Sequence, residues 1–317
     1  MHCKLCDNLN DNRILQIEER MIGLGNEFNY LECGSCGAVQ LTEDIPNMSI
    51  FYPPSYYSFS RESSLIEYSK YFRAKHVVQG NSFLGKFVNW LYPEKLLFSL
   101  NECANFNKEA RILDVGCGSG NDTIKILRKL GYNNSLGIDP YLPKEIKLGD
   151  NILVKNIPID DLLKKGEKYD IIMFHHVFEH ISTPREMLEV VKKMLNSDGV
   201  CIIRIPLADS SAYKIYKEHW VQLDAPRHYF LHTKKSLKLL CNSLGLSIEK
   251  IIYDSTAFQF WGSELYNKNI PLNNISEHRN GVLNFFSRKQ LRDFDTKANV
   301  LNKEETGDQA IFYIKNS

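Results

Sequence analysis

Within a seven-residue window, Asp114, Gly116, Gly118 and Gly120 have the types and spacing that build a cradle for a nucleotide-like ligand. They lie in RILDVGCGSGN, residues 111–121, where a short β-branched and aliphatic run reads as a buried strand. The run enters the glycines and then TIKILRKL, whose apolar residues recur at helical spacing. Glycines allow a positive φ and let a ligand approach with no Cβ in the way. The helix N-terminus behind them offers unpaired N–H groups, and Asp114 is placed to accept from a charged amine. Glycine triplets also occur in dinucleotide enzymes and in plain tight turns, so context decides. Twenty-five residues on, SLGIDP closes a second apolar run with Asp139. An acid at that strand end is where doubly wound folds grip a ribose diol.

A second group is HHVFEH, residues 175–180, carrying His175, His176, Glu179 and His180 just past another apolar run. A lone histidine is usually a satisfied structural group, but three beside a glutamate ask for chemistry. If residues 177–181 are helical, His176, Glu179 and His180 share one face at i, i+3 and i+4. That face could hold a divalent metal or orient a proton acceptor. Further along, EHWVQLDAPRHYFLHT (218–233) crowds Trp220, Gln222, Asp224, Arg227, His228 and Tyr229 into one loop. Arg227 is suited either to a phosphate or carboxylate on a substrate or to a surface ion pair. As candidate general bases the histidines rank His228, His180, His176.

A third group is Cys3-x-x-Cys6 followed after 26 residues by Cys33-x-x-Cys36, the sequence form of a four-thiolate zinc site. Gly34 and Gly37 suit its second turn. The alternative is reduced, metal-free cysteine, and a redox pair is disfavoured because it is normally single and set near a βαβ unit. Residues 1–50 hold three Lys or Arg against eight acids, a net of −5. Nucleic-acid binding needs clustered positive charge, so no nucleic-acid partner is expected. The module should pack on the main domain or wall a substrate cleft.

These groups need a scaffold. The 317 residues suffice for a large domain and a small one. The hydrophobic and charged fractions, 43% and 24%, fit a soluble globule, and a net charge of +1 gives no field toward nucleic acid or membrane. MHCKLCDNLN lacks the apolar core of a secretion signal, and no window suits a bilayer span. With eight cysteines and no sign of export, a cytoplasmic protein with thiols or metal is expected, without membrane association. The sequence leaves the oligomeric state open.

The predicted organisation is a zinc ribbon at 1–45, an aromatic linker and lead-in helices at 46–108, and an α/β domain at 109–317 with an insertion at about 257–307. RILQIEERMI and EFNYLEC read as ribbon strands. The run FYPPSYYSFS is barred from helix by its prolines and serves as a packed linker or an aromatic substrate lid. Residues 65–78 and 82–104 read as helices broken at Pro93, with Trp90 and Phe98 as core. NILVKN, KYDIIMFHH and GVCIIRIP read as further strands, with IDDLLKK as a short helix and Asp160 as a possible N-cap. Alternating strands and helices give a Rossmann-like parallel sheet with helices on both faces, and ligands bind at the carboxyl ends of its strands. KKSLKLLCNSLGL is a helix stopped at Gly245, then come the strand IEKIIYD, the insertion and the closing strand QAIFYIKN. The insertion adds to an acceptor pocket or caps the sheet with Trp261.

The acid before the first glycine, with G-x-G-x-G after it, resembles the D-x-G-x-G-x-G motif of class I S-adenosylmethionine (SAM) dependent methyltransferases. The resemblance implies SAM as cofactor, its methionine part held by Asp114 and the loop of Gly116, Gly118 and Gly120, its ribose by Asp139. It implies that Asn156 and Asp160 reach the adenine, that His175 stands at the cofactor edge, and that the E-H pair Glu179–His180 borders the acceptor. In some relatives a similar cluster binds a metal ion, which makes a second divalent metal an additional expectation here. With its cysteines, the chain is similar to sugar methyltransferases carrying a four-cysteine zinc module. In deoxysugar C-methyltransferases the histidine before Y-F in a comparable loop is the base, and His228 in RHYF matches it. Arg227 replaces that family's glutamate, and its long C-terminal domain is lacking, so O-methylation is the better expectation. The resemblance therefore implies a small polar acceptor such as a sugar, nucleotide sugar or glycan precursor. Sugar C-methylation, RNA base methylation and a binding protein without turnover are the alternatives.

Overall fold

The computed structural model describes residues 1–52, 64–80, 82–91, 96–277 and 280–317. The N-terminal module forms β1 (Arg13–Glu18), β2 (Glu27–Glu32) and β3 (Val39–Leu41), an antiparallel meander. Most of the aromatic run lies outside the described residues, as does Pro93. Two helices follow, α1 (Ser64–Gln79) and α2 (Phe83–Leu91), and then a 3-10 stretch, Leu97–Glu102.

The expectation that Trp90 and Phe98 are core is wrong: they are 75% and 41% exposed. Helix α2 meets α1 at Gly85, where an added Cβ would stand 2.0 Å from the Phe72 carbonyl oxygen. The contact therefore uses the glycine side of α2, and Phe83, Phe87 and Trp90 face outward.

The main domain continues with β4 (Ile112–Val115), α3 (Ile124–Lys129), β5 (Ser135–Ile138), β6 (Ile146–Leu148), β7 (Asn151–Lys155), α4 (Ile159–Lys164) and β8 (Tyr169–His175). Next are α5 (Pro184–Met194), β9 (Leu195–Pro206), α6 (Ser211–Tyr216), β10 (Phe230–Leu231), α7 (Lys234–Ser243) and β11 (Leu246–Tyr253). The chain closes with α8 (Phe258–Asn267), α9 (Asn273–Glu277), α10 (Arg288–Lys303) and β12 (Gln309–Asn316).

Eight strands form one sheet in the order β11-β12-β9-β8-β4-β5-β7-β6. The four inner pairings from β9 to β7, β9 with β8, β8 with β4, β4 with β5 and β5 with β7, are all parallel. β8 and β9 are buried over most of their length, which is why they read as continuous apolar runs. This is the expected Rossmann-like layering. Its departures are at the edges: β12 returns antiparallel between β9 and β11. β6, three mostly exposed residues, pairs antiparallel with β7 across the two-residue Gly149–Asp150 turn. That turn was the available signal for the extra strand.

In the insertion, Phe260 on α8 is fully buried and stacks on Phe294 of α10. Trp261 is only half-buried, so Phe260 rather than Trp261 anchors the cap. The N-terminal sheet is completed from far along the chain, because β10 pairs antiparallel with β3, Phe230 against Gln40 and Leu231 against Val39. Among the described residues, no helix is long and apolar enough to cross a membrane.

Candidate functional site

The loop after β4 is built as a cradle. Gly116, Gly118 and Gly120 have φ of +69°, +54° and +64°, a region that L side chains avoid. Gly116 also faces Val177, where an added Cβ would stand 2.7 Å from the valine methyls. The cradle and the HHVFEH segment are thus in van der Waals contact.

Asp114 is buried and accepts from the Thr123 hydroxyl. Burial pushes its carboxyl up, against the Thr123 bond, to about 7. A buried acid with one short-chain donor is suited to receive a cationic amine, which would hold it ionised. Asp139 stands at the end of β5, its Oδ2 accepting from Gly118 N–H and its Oδ1 from Tyr141 N–H, both at 2.9 Å. A cavity of about 370 Å³ opens beside the loop, lined among others by Ser119, Asn121, Lys125 and Lys70 of α1.

Asn156 donates its amide to the Leu142 carbonyl, and Asp160 is exposed in the first turn of α4. The N-cap of α4 is Pro158, so the capping role considered for Asp160 is not what the structure shows. His175 ends β8 with both ring nitrogens buried and unpaired. Burial, with Arg204 and His176 nearby, lowers it well below the usual histidine range.

HHVFEH does not form the α-helical turn that would put its three groups on one face. His176 takes a left-handed φ of +55°, and Phe178–His180 is a single 3-10 turn. The His176 Nδ1 stands 3.3 Å from Glu179 Oε1, and the Glu179 carboxylate, 1% exposed, is otherwise without a polar partner among the described residues. Burial pushes this carboxyl up, yet His176, His180 and His228 outweigh it and bring it to about 2.

His180 turns instead to the late loop. Its Nδ1 is 2.8 Å from the Arg227 carbonyl oxygen, and its ring lies edge-on to His228 with centroids 4.7 Å apart. The hydroxyl of Tyr52, at the start of the FYPPSYYSFS run read as a linker or lid, is 3.3 Å from the same Nδ1.

His228 is buried, and its Nδ1 is 2.8 Å from the Gln222 carbonyl oxygen. A carbonyl only accepts, so Nδ1 carries the proton and Nε2 presents its lone pair. Burial and His180 lower the ring to about 4, against the opposing pull of Asp224 and Glu179, so it is neutral at pH 7. Asp224 Oδ2 stands 3.7 Å from Nε2.

Arg227 is neither on the surface nor free for a substrate. It is fully buried, with Nη2 3.0 Å from Glu19 Oε1 and 2.6 Å from Asp224 Oδ1. Both readings made of it from sequence are thereby corrected. The Trp220 indole is likewise structural, donating to the buried Asp308 at 3.1 Å.

The four cysteines converge. Cys3 and Cys36 have Sγ atoms 3.6 Å apart, as do Cys6 and Cys33, and all four sulfurs lie within 4.8 Å of one another. Tetrahedral Zn–S bonds of about 2.3 Å give S···S edges of roughly 3.8 Å, so the set fits zinc. The hydrogen bond from Cys36 holds the Cys3 thiol down at about 5, while that bond and burial push Cys36 up. Glu179, His180 and His228 form a second set whose ligand atoms lie within 4.8 Å; His228 takes the place that the sequence reading gave to His176.

A family profile described as "Methyltransferase domain" matches residues 90–251. An uncharacterized protein of Rickettsia prowazekii is 33% identical over 105 residues, covering 30% of this chain and 42% of its own. The ubiquinone biosynthesis O-methyltransferase of Glaesserella parasuis is 26% identical over 212 residues, 61% of this chain and 88% of that one. The tRNA U34 carboxymethyltransferase of Campylobacter jejuni is 26% identical over 141 residues, 42% and 48%. The chain thus spans less than half the length of the first and third of these relatives. Among solved structures, the cyclopropane synthase MmaA2 from Mycobacterium tuberculosis aligns with a TM-score of 0.44 at 15% identity, covering 68% of this chain and 81% of that one.

Proposed function

The chain belongs to the methyltransferase-domain family and is a SAM-dependent methyltransferase, and we propose that it methylates a hydroxyl of a small polar acceptor, a sugar, nucleotide sugar or glycan precursor, with His228 as general base. The observation that carries this reading is the state of the His228 ring: neutral, with Nδ1–H given to the Gln222 carbonyl and Nε2 bare. A sugar hydroxyl is a poor nucleophile at pH 7, and a bare imidazole nitrogen within hydrogen-bond reach can take its proton. Asp224, 3.7 Å from Nε2, would then stabilise the imidazolium.

When bound, SAM supplies a methyl group already activated by its sulfonium. The chain's own part is to hold and align: Asp114 the amine, Asp139 the ribose, the glycine loop the chain between them, Asn156, Asp160 and His175 the remaining edge. Alignment of this kind is worth several powers of ten. Contact of Gly116 with Val177 puts the cradle directly beside Glu179 and His180. Cys3, Cys6, Cys33 and Cys36 are assigned to structural zinc, on the fit of their sulfur spacing.

A second reading of the Glu179, His180 and His228 cluster is a divalent-metal site that activates the acceptor in place of a base. It is favoured by the buried carboxylate of Glu179, which beyond its contact with His176 has room for a ligand, and added metal rescuing a chelated, zinc-loaded enzyme would decide for it.

The test uses labelled SAM with a cell lysate, separated by size after reaction. Label in the low-mass fraction, lost in His228→Ala, supports the proposal. Label held on macromolecules and released by ribonuclease overturns it in favour of RNA.

A further inference from the structure

We propose that Glu19, in the N-terminal cysteine module, is a positioning residue for His228, acting through Arg227 and Asp224. The argument is a chain of buried contacts. Glu19 is fully buried, and its carboxylate is fixed by its own turn: Oε1 accepts from Ile22 N–H at 2.9 Å, Oε2 from Gly23 and Leu24 N–H at 2.9 and 3.0 Å. So fixed, it receives Arg227 Nη2 at 3.0 Å. Arg227 is also fully buried and donates Nη1 to the Phe51 carbonyl at 3.1 Å. Its remaining edge grips Asp224, with Nε 3.0 Å from both carboxylate oxygens and Nη2 2.6 Å from Oδ1.

Asp224 and Arg227 bracket the turn that delivers His228. Asp224 takes a left-handed φ of +42°, its carbonyl accepts from His228 N–H at 3.3 Å, and its carboxylate faces Nε2. Gln222, two residues earlier, supplies the carbonyl that fixes the proton on Nδ1. Without Glu19 the guanidinium would keep only the neutral Phe51 carbonyl outside its own loop, a weaker hold that lets the Arg227–Asp224 turn shift as a unit. Glu19 anchors it to a different part of the chain, 208 residues away. Both carboxylates are needed to balance the position of one buried cation, since a buried charge with a lost partner rearranges toward whatever neutralises it.

The groups facing the His228 ring are His180, Asp224 and Glu179, with Arg227 behind Asp224 and Tyr52 behind His180. Losing Glu19 would let the Arg227–Asp224 pair and its turn shift and release the Gln222 carbonyl from Nδ1, leaving the Asp224 carboxylate to draw the proton to Nε2. The consequence is which ring nitrogen holds the proton. This deepens the base assignment, but its test needs no turnover, so either can fail alone.

The test is long-range proton–nitrogen NMR of the full-length, zinc-loaded chain carrying ¹⁵N-histidine, at pH 7.5, with His228 assigned by loss of its signals in His228→Asn. The wild type should show a protonated Nδ1 and a bare Nε2. Glu19→Gln should keep zinc and fold while that tautomer preference drops about tenfold, the equivalent of one charge-assisted hydrogen bond. An unchanged single tautomer in a folded Glu19→Gln overturns the proposal, since a merely structural Glu19 would affect stability alone. If that variant does not fold, Arg227→Lys keeps the charge without the two-point grip. It should mix the tautomers, and an unaltered ring there overturns the proposal equally.

Discussion

The Tyr30 phenol donates to the backbone carbonyl oxygen of His228 at 2.9 Å, across 198 residues of sequence. Both groups are buried. Around this bond, Tyr229 N–H donates to the Glu179 carbonyl at 2.8 Å, and Leu41 N–H to the Tyr229 carbonyl at 2.9 Å. The cysteine module and the HHVFEH segment therefore clamp the same two residues of the late loop from opposite sides. Tyr30→Phe should leave a buried carbonyl unsatisfied and cost about 1–3 kcal/mol. Denaturant titration reads the loss, and a variant as stable as wild type would show that the bond is idle.

Zinc should act on the late loop and not on the cradle. The Thr233 hydroxyl donates to the Cys36 carbonyl at 2.6 Å, just beyond β10, whereas the glycine loop rests on the eight-stranded sheet. We expect one zinc per chain by atomic emission, lost in Cys33→Ser. The variant should melt earlier and lose methyl transfer while SAM still binds by calorimetry. Simultaneous loss of SAM binding would refute this separation.

In the cradle, Asp139→Asn removes the charge that receives Gly118 N–H. Weakening of SAM binding by about 10- to 100-fold is expected, as for one hydrogen bond to a charged group. Gly116→Ala should weaken it as well, through its positive φ and its clash with Val177. Adding Val177→Ala should restore part of the loss but not all, because the backbone strain remains. Full restoration would mean that the clash alone mattered.

His232 makes a pH prediction. It is fully buried between the Phe178 and Phe230 rings with Nε2 unpaired, and burial lowers it to about 4. A histidine depressed in the folded state leaves the unfolded chain to bind the proton first. Stability is then lost as pH falls from about 6.5 toward 4. His232→Phe removes that loss, so its advantage over wild type should grow by about 2 kcal/mol between pH 8 and pH 5. Urea midpoints at the two pH values measure it, and a pH-independent difference would argue against a buried neutral ring.

What could be read from the chain alone was what short spacing determines. The strand, glycine turn and helix from Ile112 to Lys129, and the two Cys-x-x-Cys turns, depend on residues within a few positions of one another. The positive φ values follow from that local chemistry, whereas the close sulfur contacts, Cys3 with Cys36 and Cys6 with Cys33, join the two turns across about thirty residues. Buried strands such as β8 were legible because parallel strands covered on both faces must be apolar throughout.

Tertiary structure decided the rest. Nothing in RHYF says that Arg227 is buried or that its partner is Glu19, because an arginine has the same local pattern on a surface and in an ion triad. The outward face of α2 is set by the closeness of Gly85 to α1, a property of two helices together. His180 meets His228 rather than His176 because the segment makes one 3-10 turn, and the Arg227 carbonyl, 47 residues on, takes its Nδ1. The sequence set the glycine turn and each Cys-x-x-Cys turn because the residues of each are neighbours in the chain. The surroundings of His228 were decided by the fold, since His180, Glu19 and Tyr30 reach its loop from segments 47 to 208 residues away.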